Sequence, residues 1–150
     1  MMSVRTLFEV LLITAYALLL NAAALVAGLL LFVGAEGFAC HSGFGIFLLV
    51  LSSVAVFGTA LLALRRGPID TPLRGARLGL TAAGLFYALI VILFGLLPAL
   101  AYLPTGNLDT VAGYLGDVVH IAVAGSYGLP VITGALGGAF YGWLRRSAAN

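Results

Sequence analysis

The sequence is poor in charge. Charged residues make up only 8% of its 150 positions, whereas hydrophobic residues make up 63%. Water-soluble domains carry about 25% charged residues because their surfaces face water. This chain has too few polar side chains to cover such a surface, which excludes an ordinary soluble domain. A mean hydropathy of +1.18 instead predicts an integral membrane protein.

Cysteine and lysine are also scarce. Cys40 is the single cysteine, which excludes an intramolecular disulfide and the chemistry of thiol oxidoreductases that need paired cysteines. Lysine is absent, and all seven basic residues are arginines. These arginines lie on one side of the predicted membrane, so the net charge of +2 reflects topology and indicates no nucleic-acid partner. The sequence contains neither a nucleotide-binding loop nor a zinc-binding helix motif.

Long apolar stretches define the predicted architecture. A helix needs about 20 apolar residues to cross the hydrocarbon core, and lipid leaves the backbone no other way to satisfy its hydrogen bonds. We therefore predict an all-α fold in which residues 1–150 form a single transmembrane domain, an antiparallel four-helix bundle. The predicted helices cover approximately residues 7–33, 44–64, 78–101 and 118–144.

Basic residues divide the connections into two kinds. They lie before the first stretch, between the second and third, and after the fourth: Arg5, Arg65, Arg66, Arg74, Arg77, Arg145 and Arg146. The irregular loops predicted at residues 34–43 and 102–116 contain none. Because arginine-rich connections stay in the cytoplasm, we predict that both termini and residues 65–77 are cytoplasmic. The expected location is the plasma membrane of a prokaryote.

The basic connection suggests two further features. Asp70 or Thr71, followed by Pro72, is typical of a helix N-terminus, so the third helix is expected to begin before it enters the membrane. The arginines here are a candidate site for anionic lipid headgroups, each contact contributing about 1 kcal/mol. These residues are Arg65, Arg66, Arg74 and Arg77. A role in topology alone explains them equally well.

Glycine recurs at every fourth position of the last stretch, at Gly134, Gly138 and Gly142. This spacing clears one helix face so that another backbone can approach closely. Small residues of the first and third stretches offer complementary faces, and a second subunit is the other candidate partner. Asn21, which lies near the middle of the first stretch, is interpreted as a further packing residue that hydrogen-bonds between helices.

Two other positions affect the predicted helices. The run from Gly125 to Pro130 is unfavourable for a straight helix, and we expect a proline kink there rather than the broken helix of some transporters. Glu9 lies four residues after Arg5, which predicts an ion pair at the inner interface. The alternative for Glu9 is an intramembrane carboxylate like that of small four-helix drug exporters.

The outer ends of the second and fourth stretches each begin with a histidine. His41 and His120 should lie at similar depth, and imidazoles from two helices can ligate haem iron. Cys40 and Asp117 would extend this layer to a transition-metal site. The alternative is interfacial polarity without a ligand, because the spacing matches no local metal-binding motif.

Three functions are compatible with these features. The first is a non-catalytic accessory subunit that packs in the membrane lipid against other transmembrane helices, in a homo-oligomer or a hetero-complex. The second is a haem- or metal-bearing electron-transfer subunit that uses His41 and His120. The third is a small oligomeric transporter or channel. The first is favoured because intramembrane acid–base and ligand clusters, which usually mark functional membrane sites, are absent from the predicted spans.

Overall fold

The computed structural model is all-helical throughout the residues that it describes. It describes the backbone of residues 4–32, 34–101, 104, 108–125 and 128–148, but not the side chains of residues 28–32, 34–44, 121 and 123–125. Three segments are long and apolar enough to cross a membrane: Val4–Ala27, Gly45–Arg66 and Pro72–Leu100. The all-α class is thereby confirmed, and the chain is an integral membrane protein.

The first two helices are longer than predicted. α1 runs over Val4–Phe32 and α2 over Gly34–Arg66, a helix of 33 residues. The irregular loop predicted at residues 34–43 is therefore wrong, because these residues form the first turns of α2. Each glycine in a helix costs only about 1 kcal/mol relative to alanine. This stretch contains no proline, so elongation of a helix that is already nucleated outweighs that cost.

The third helical rod begins where the cap sequence indicates. α3 covers Pro72–Ile90, and the Thr71 side chain caps it by accepting a hydrogen bond from the Arg74 backbone N–H at 3.3 Å. Proline fits the first helical turn because the N–H that it lacks would have no partner there. The rod thus starts six residues before the predicted boundary at residue 78.

The outer part of this rod changes its winding. A π-helical turn, Val91–Leu96, leads into the short helix α4, Leu97–Leu100. Pro98 has no N–H to donate to the carbonyl of Phe94, four residues earlier. The Tyr114 hydroxyl donates to that carbonyl at 2.9 Å. A side chain from the next helix therefore satisfies the oxygen that Pro98 leaves without its α-helical partner.

The continuous fourth helix predicted at residues 118–144 is wrong. The structure has two helices instead, α5 over Leu108–Gly125 and α6 over Leu129–Ser147. Gly128 precedes α6 with a φ of +68°, a left-handed conformation that other residues adopt at a cost. Pro130 lies in the first turn of α6, where it disturbs no helical hydrogen bond. The glycine and proline therefore end one helix and start another.

The helices pack around α3. α6 lies along α3, α2 packs against both α1 and α3, and α5 packs mainly on the π-helical turn. A buried cluster joins the elements near the arginine-rich end and comprises Val10, Ile13, Ala60, Ile69, Leu78 and Tyr141. A second cluster, Leu51, Ala55 and Phe86, joins α2 to α3 farther along the rods. Large apolar side chains cover much of the exterior, as expected for a surface in lipid.

Candidate functional site

The arginine-rich end of the molecule contains an ion pair between the first and last helices. Glu9 of α1, whose side chain is 18% exposed, accepts a short hydrogen bond from Arg145 of α6. Arg5, the partner predicted from the sequence, is farther away, with its Nε 4.0 Å from the carboxylate. Glu9 is therefore held between two arginines at the end of the bundle. The contact with Arg145 joins residues 136 positions apart, which no local pattern indicates.

The candidate lipid-headgroup arginines occupy the same end. Arg65, Arg66, Arg74 and Arg77 are all exposed. Arg74 pairs with Asp70 at 3.1 Å and donates to the Pro68 carbonyl at 3.1 Å. It stabilises the turn between α2 and α3 by this pair of contacts. Headgroup binding by these arginines stays a prediction.

The glycines of α6 face glycines of α3. A Cβ atom on Gly79 would overlap the carbonyl of Gly134, and a Cβ atom on Gly75 would overlap that of Gly138. Gly142 approaches the backbone of Thr71 equally closely. The two backbones touch along this interface, so its helix axes are as close as glycine permits. Within the chain, the partner of the glycine stripe is α3.

A neighbouring glycine brings α1 against α6. A Cβ atom on Gly137 would overlap the end of the Leu20 side chain, and the Tyr16 hydroxyl donates to the Gly137 carbonyl at 3.2 Å. Tyr16 also contacts Tyr141, with ring centroids 5.7 Å apart. This contact was not predicted from the sequence. Its signal was the consecutive pair Gly137 and Gly138, which clears two faces of α6 about 100° apart.

A cavity of about 630 Å³ lies between the helices. Side chains from α1, α2, α3, the π-helical turn, α5 and α6 all contribute to its wall. Ala122 of α5 and Leu129 and Pro130 of α6 line it, so the helix break borders the cavity. Irregular backbone at membrane depth occurs where it is buried in protein or lines a cavity, and this break fits the second case.

Asn21 lies in the wall of this cavity. Its amide nitrogen donates to the Ser52 hydroxyl of α2 at 3.3 Å, and Ser52 donates in turn to the Leu49 carbonyl at 2.9 Å. Ser53 donates to the same carbonyl at 2.8 Å, so both hydroxyls bond to the backbone of their own helix. The Asn21–Ser52 bond links α1 to α2 beside the cavity.

The predicted haem or metal site is only partly described. Cys40 and His41 belong to the first turns of α2, and their side chains lie outside the described residues. Asp117 and His120 are exposed on α5. Among the described side chains, no group of three or more His, Cys, Asp or Glu residues is close enough to hold a metal ion. The site at His41 and His120 stays a prediction.

Exposed polar and small residues form a stripe on α5. Its members follow one another at helical spacing: Asp109, Gly113, Gly116, Asp117 and His120. The opposite face carries half-buried residues, among them Tyr114, Leu115 and Val118, and it packs on the π-helical turn around Gly95. We call the exposed set the α5 stripe.

No family model, curated protein or solved structure matches this chain.

Proposed function

We propose that this chain is a non-catalytic integral membrane protein that acts as an accessory subunit, in a larger membrane assembly or with copies of itself. The α5 stripe is the observation that carries the proposal. Added Cβ atoms on Gly113 and Gly116 would meet no other described atom within 4 Å. A neighbouring helix can therefore approach the backbone of α5 closely on this face.

The charges on the α5 stripe indicate which groups a partner helix would carry. Asp109 and Asp117 are both exposed there, and none of the seven arginines lies on α5: they lie at the start of α1, at the end of α2, in the first turns of α3 and at the end of α6. We expect groups that complement these carboxylates to come from a neighbouring subunit. His120 of a second copy meeting Asp117 would supply them, as would basic residues of a different subunit.

The uncharged interior supports a non-catalytic role. The described residues that line the cavity include no arginine, aspartate, glutamate or histidine. Acid–base and redox chemistry in membranes usually relies on such groups. The described charges lie instead at the arginine-rich end, where Glu9 is paired, or on the α5 stripe.

The proposed topology has four crossings. α1, α2 and the α3–α4 rod each cross once, and α5 with α6 together make the fourth. Both termini and the Arg65–Arg77 connection would be cytoplasmic. Support comes from the contacts of Glu9 with Arg145 and of Gly142 with Thr71, because they bring the start of α1, the start of α3 and the end of α6 to one end.

The mass of the extracted particle tests the accessory role. Protein extracted from its native membrane with mild detergent should have a protein mass above the 15.4 kDa of one chain, measured by light scattering after size exclusion. Gly113→Trp should reduce the mass to that of a single chain. Gly84→Trp is the matched control, because Gly84 is an exposed glycine of α3 with no described atom near it. A single-chain mass for the wild type would refute the proposal.

Labelling of single cysteines tests the topology. In a Cys40→Ala background, Leu108→Cys should react with a membrane-impermeant maleimide added to intact cells. Ser147→Cys should react only after the cells are opened. Labelling of Ser147→Cys in intact cells would reverse the proposed orientation.

A further inference from the structure

The central cavity has the volume of a lipid chain. An engineered apolar cavity of about 150 Å³ accommodates one benzene ring, so about 630 Å³ corresponds to roughly 25 carbon atoms on the same scale. Ligand pockets that bind small molecules cover about 300–1,000 Å³. The space is therefore far larger than a packing defect between helices.

The lining of the cavity extends along much of the third rod. On the third rod the wall runs from Leu78 to Phe94, which at 1.5 Å per residue is about 24 Å. If a volume of 630 Å³ is spread evenly over this length, its cross-section is roughly 26 Å² and its width about 6 Å. Because non-bonded carbon atoms approach to about 4 Å, this width admits one hydrocarbon chain but not two side by side.

The wall is apolar and uncharged, with a few hydroxyl and amide groups. Leucine, alanine, valine, phenylalanine and glycine provide most of it, and its polar side chains are Tyr16, Asn21, Ser52, Thr133, Tyr114 and Tyr141. A carboxylate or phosphate inside would have no cation to pair with among the described lining residues, and burying an unpaired charge is strongly unfavourable. The wall therefore selects against charged ligands.

Asn21 retains hydrogen-bonding capacity in this wall. One amide hydrogen is donated to Ser52, and the Ser52 proton is donated to Leu49. Among the described residues, the Asn21 carboxamide oxygen and its second amide hydrogen have no partner, and the oxygen is not fully buried. A carboxamide can both donate and accept, so it fits a hydroxyl or ester group on a ligand.

From these observations we infer that the cavity binds one molecule of an uncharged lipid with a single long hydrocarbon chain, whose hydroxyl or ester group hydrogen-bonds to Asn21. The chain lies along the third rod and contacts Ala82, Ala83 and Phe86. The break before α6 is part of the same wall, so Leu129 and Pro130 border the bound chain. This inference is independent of the accessory role, because it concerns the interior and not the α5 stripe.

The test uses 1-oleoylglycerol, an uncharged lipid with one chain of eighteen carbons. Native mass spectrometry of the delipidated protein should show one bound molecule per chain at saturation. Asn21→Leu, which keeps the volume but removes the hydrogen bonds, should weaken binding about tenfold. Ala24→Phe, which fills the cavity from α1, should abolish it. Ala88→Phe, at an exposed position of α3 outside the wall, should bind like the wild type.

Charge selectivity supplies the second measurement. An excess of oleoyl lysophosphatidylglycerol, which has the same chain and an anionic headgroup, should not displace 1-oleoylglycerol. Equal binding by the wild type, Asn21→Leu and Ala24→Phe would show that lipid adheres to the outer surface, and the inference would be wrong. Absence of any saturable adduct would overturn it as well. If Ala24→Phe does not fold, the Asn21→Leu comparison and the competition decide the matter.

Discussion

Substitution of Gly79 by alanine tests the contact between α3 and α6 directly. The added Cβ atom would overlap the carbonyl group of Gly134 and lie 3.1 Å from its Cα atom. Both are backbone atoms of a helix, so no side-chain rotation relieves the overlap. The two helices must move apart, and the neighbouring contact between Gly75 and Gly138 must open with them.

The magnitude follows from two opposing terms. Overpacking a tight interface costs about 1–3 kcal/mol, and the upper end applies because backbone meets backbone and a gap of about 1 Å forfeits up to half of each dispersion contact. Alanine gains about 1 kcal/mol over glycine in helix propensity. We expect Gly79→Ala to lose about 2 kcal/mol of unfolding free energy. Gly84→Ala, with no described atom within 4 Å, should gain about 1 kcal/mol.

Reversible unfolding in mixed micelles is the appropriate measurement. Titration with a denaturing detergent, followed by helical circular dichroism and by Trp143 fluorescence, gives the unfolding free energy of each variant. The difference between the two alanine variants should be about 3 kcal/mol. Propensity contributes equally to both, so the difference isolates the steric term. If Gly79→Ala were as stable as Gly84→Ala, the axes of α3 and α6 could not be as close as described.

Three further substitutions test other contacts. Glu9→Gln should lose about 1–2 kcal/mol of stability because its partly buried carboxylate is hydrogen-bonded across helices, whereas Asp70→Asn, in an exposed pair, should lose less than about 0.5 kcal/mol; detergent titration measures both. Tyr114→Phe should lower the unfolding free energy by about 1 kcal/mol. In a Pro98→Ala background the same substitution should cost almost nothing, because the new backbone N–H can bond to the Phe94 carbonyl. A double-mutant cycle measures this coupling. Gly128→Ala should lose about 1–2 kcal/mol from its left-handed conformation, measured by the same titration.

Each of these predictions has its own control and its own contrary result. Arg145→Gln should lower the unfolding free energy as much as Glu9→Gln does. Equal losses for Glu9→Gln and Asp70→Asn would show that the contact between α1 and α6 adds no stability beyond that of an exposed ion pair. A Tyr114→Phe loss that persists beside Pro98→Ala would mean that the hydroxyl does not substitute for the missing helical bond. Gly113→Ala is the control for helix propensity. If Gly128→Ala changed the unfolding free energy as Gly113→Ala does, Gly128 would have an ordinary helical conformation.

Local patterns in the sequence predict much of the architecture. Composition alone fixes the membrane class, because 8% charged residues do not cover a water-facing surface. Three membrane-spanning segments, in α1, in α2 and in the third rod, follow from long hydrophobic runs. The Thr71 cap and the altered winding before Pro98 follow from side chains and backbone groups only a few residues apart.

The boundaries were predicted less well because competing local signals have similar energies. Glycines in residues 34–43 indicated a loop, but helix elongation outweighs their small individual costs. The run from Gly125 to Pro130 indicated a kink, but Gly128 adopts a left-handed conformation and Pro130 then fits the first turn of α6. The position of the irregularity was therefore predicted correctly, but a break between two helices replaces the predicted kink.

The tertiary structure decided what each pattern contacts. Glycine spacing marks a small face on α6 by its periodicity, which is a local property, but only the folded chain sets Gly75 and Gly79 against it. Arg145 reaches Glu9, and Asn21 reaches Ser52, for the same reason. The cavity likewise forms from side chains of six elements that are distant in sequence. Hydrophobicity and helical spacing are local properties within a few turns, so they could be predicted from the sequence. The pairing of helices depends on how complete helix surfaces fit together, and only the tertiary structure determines it.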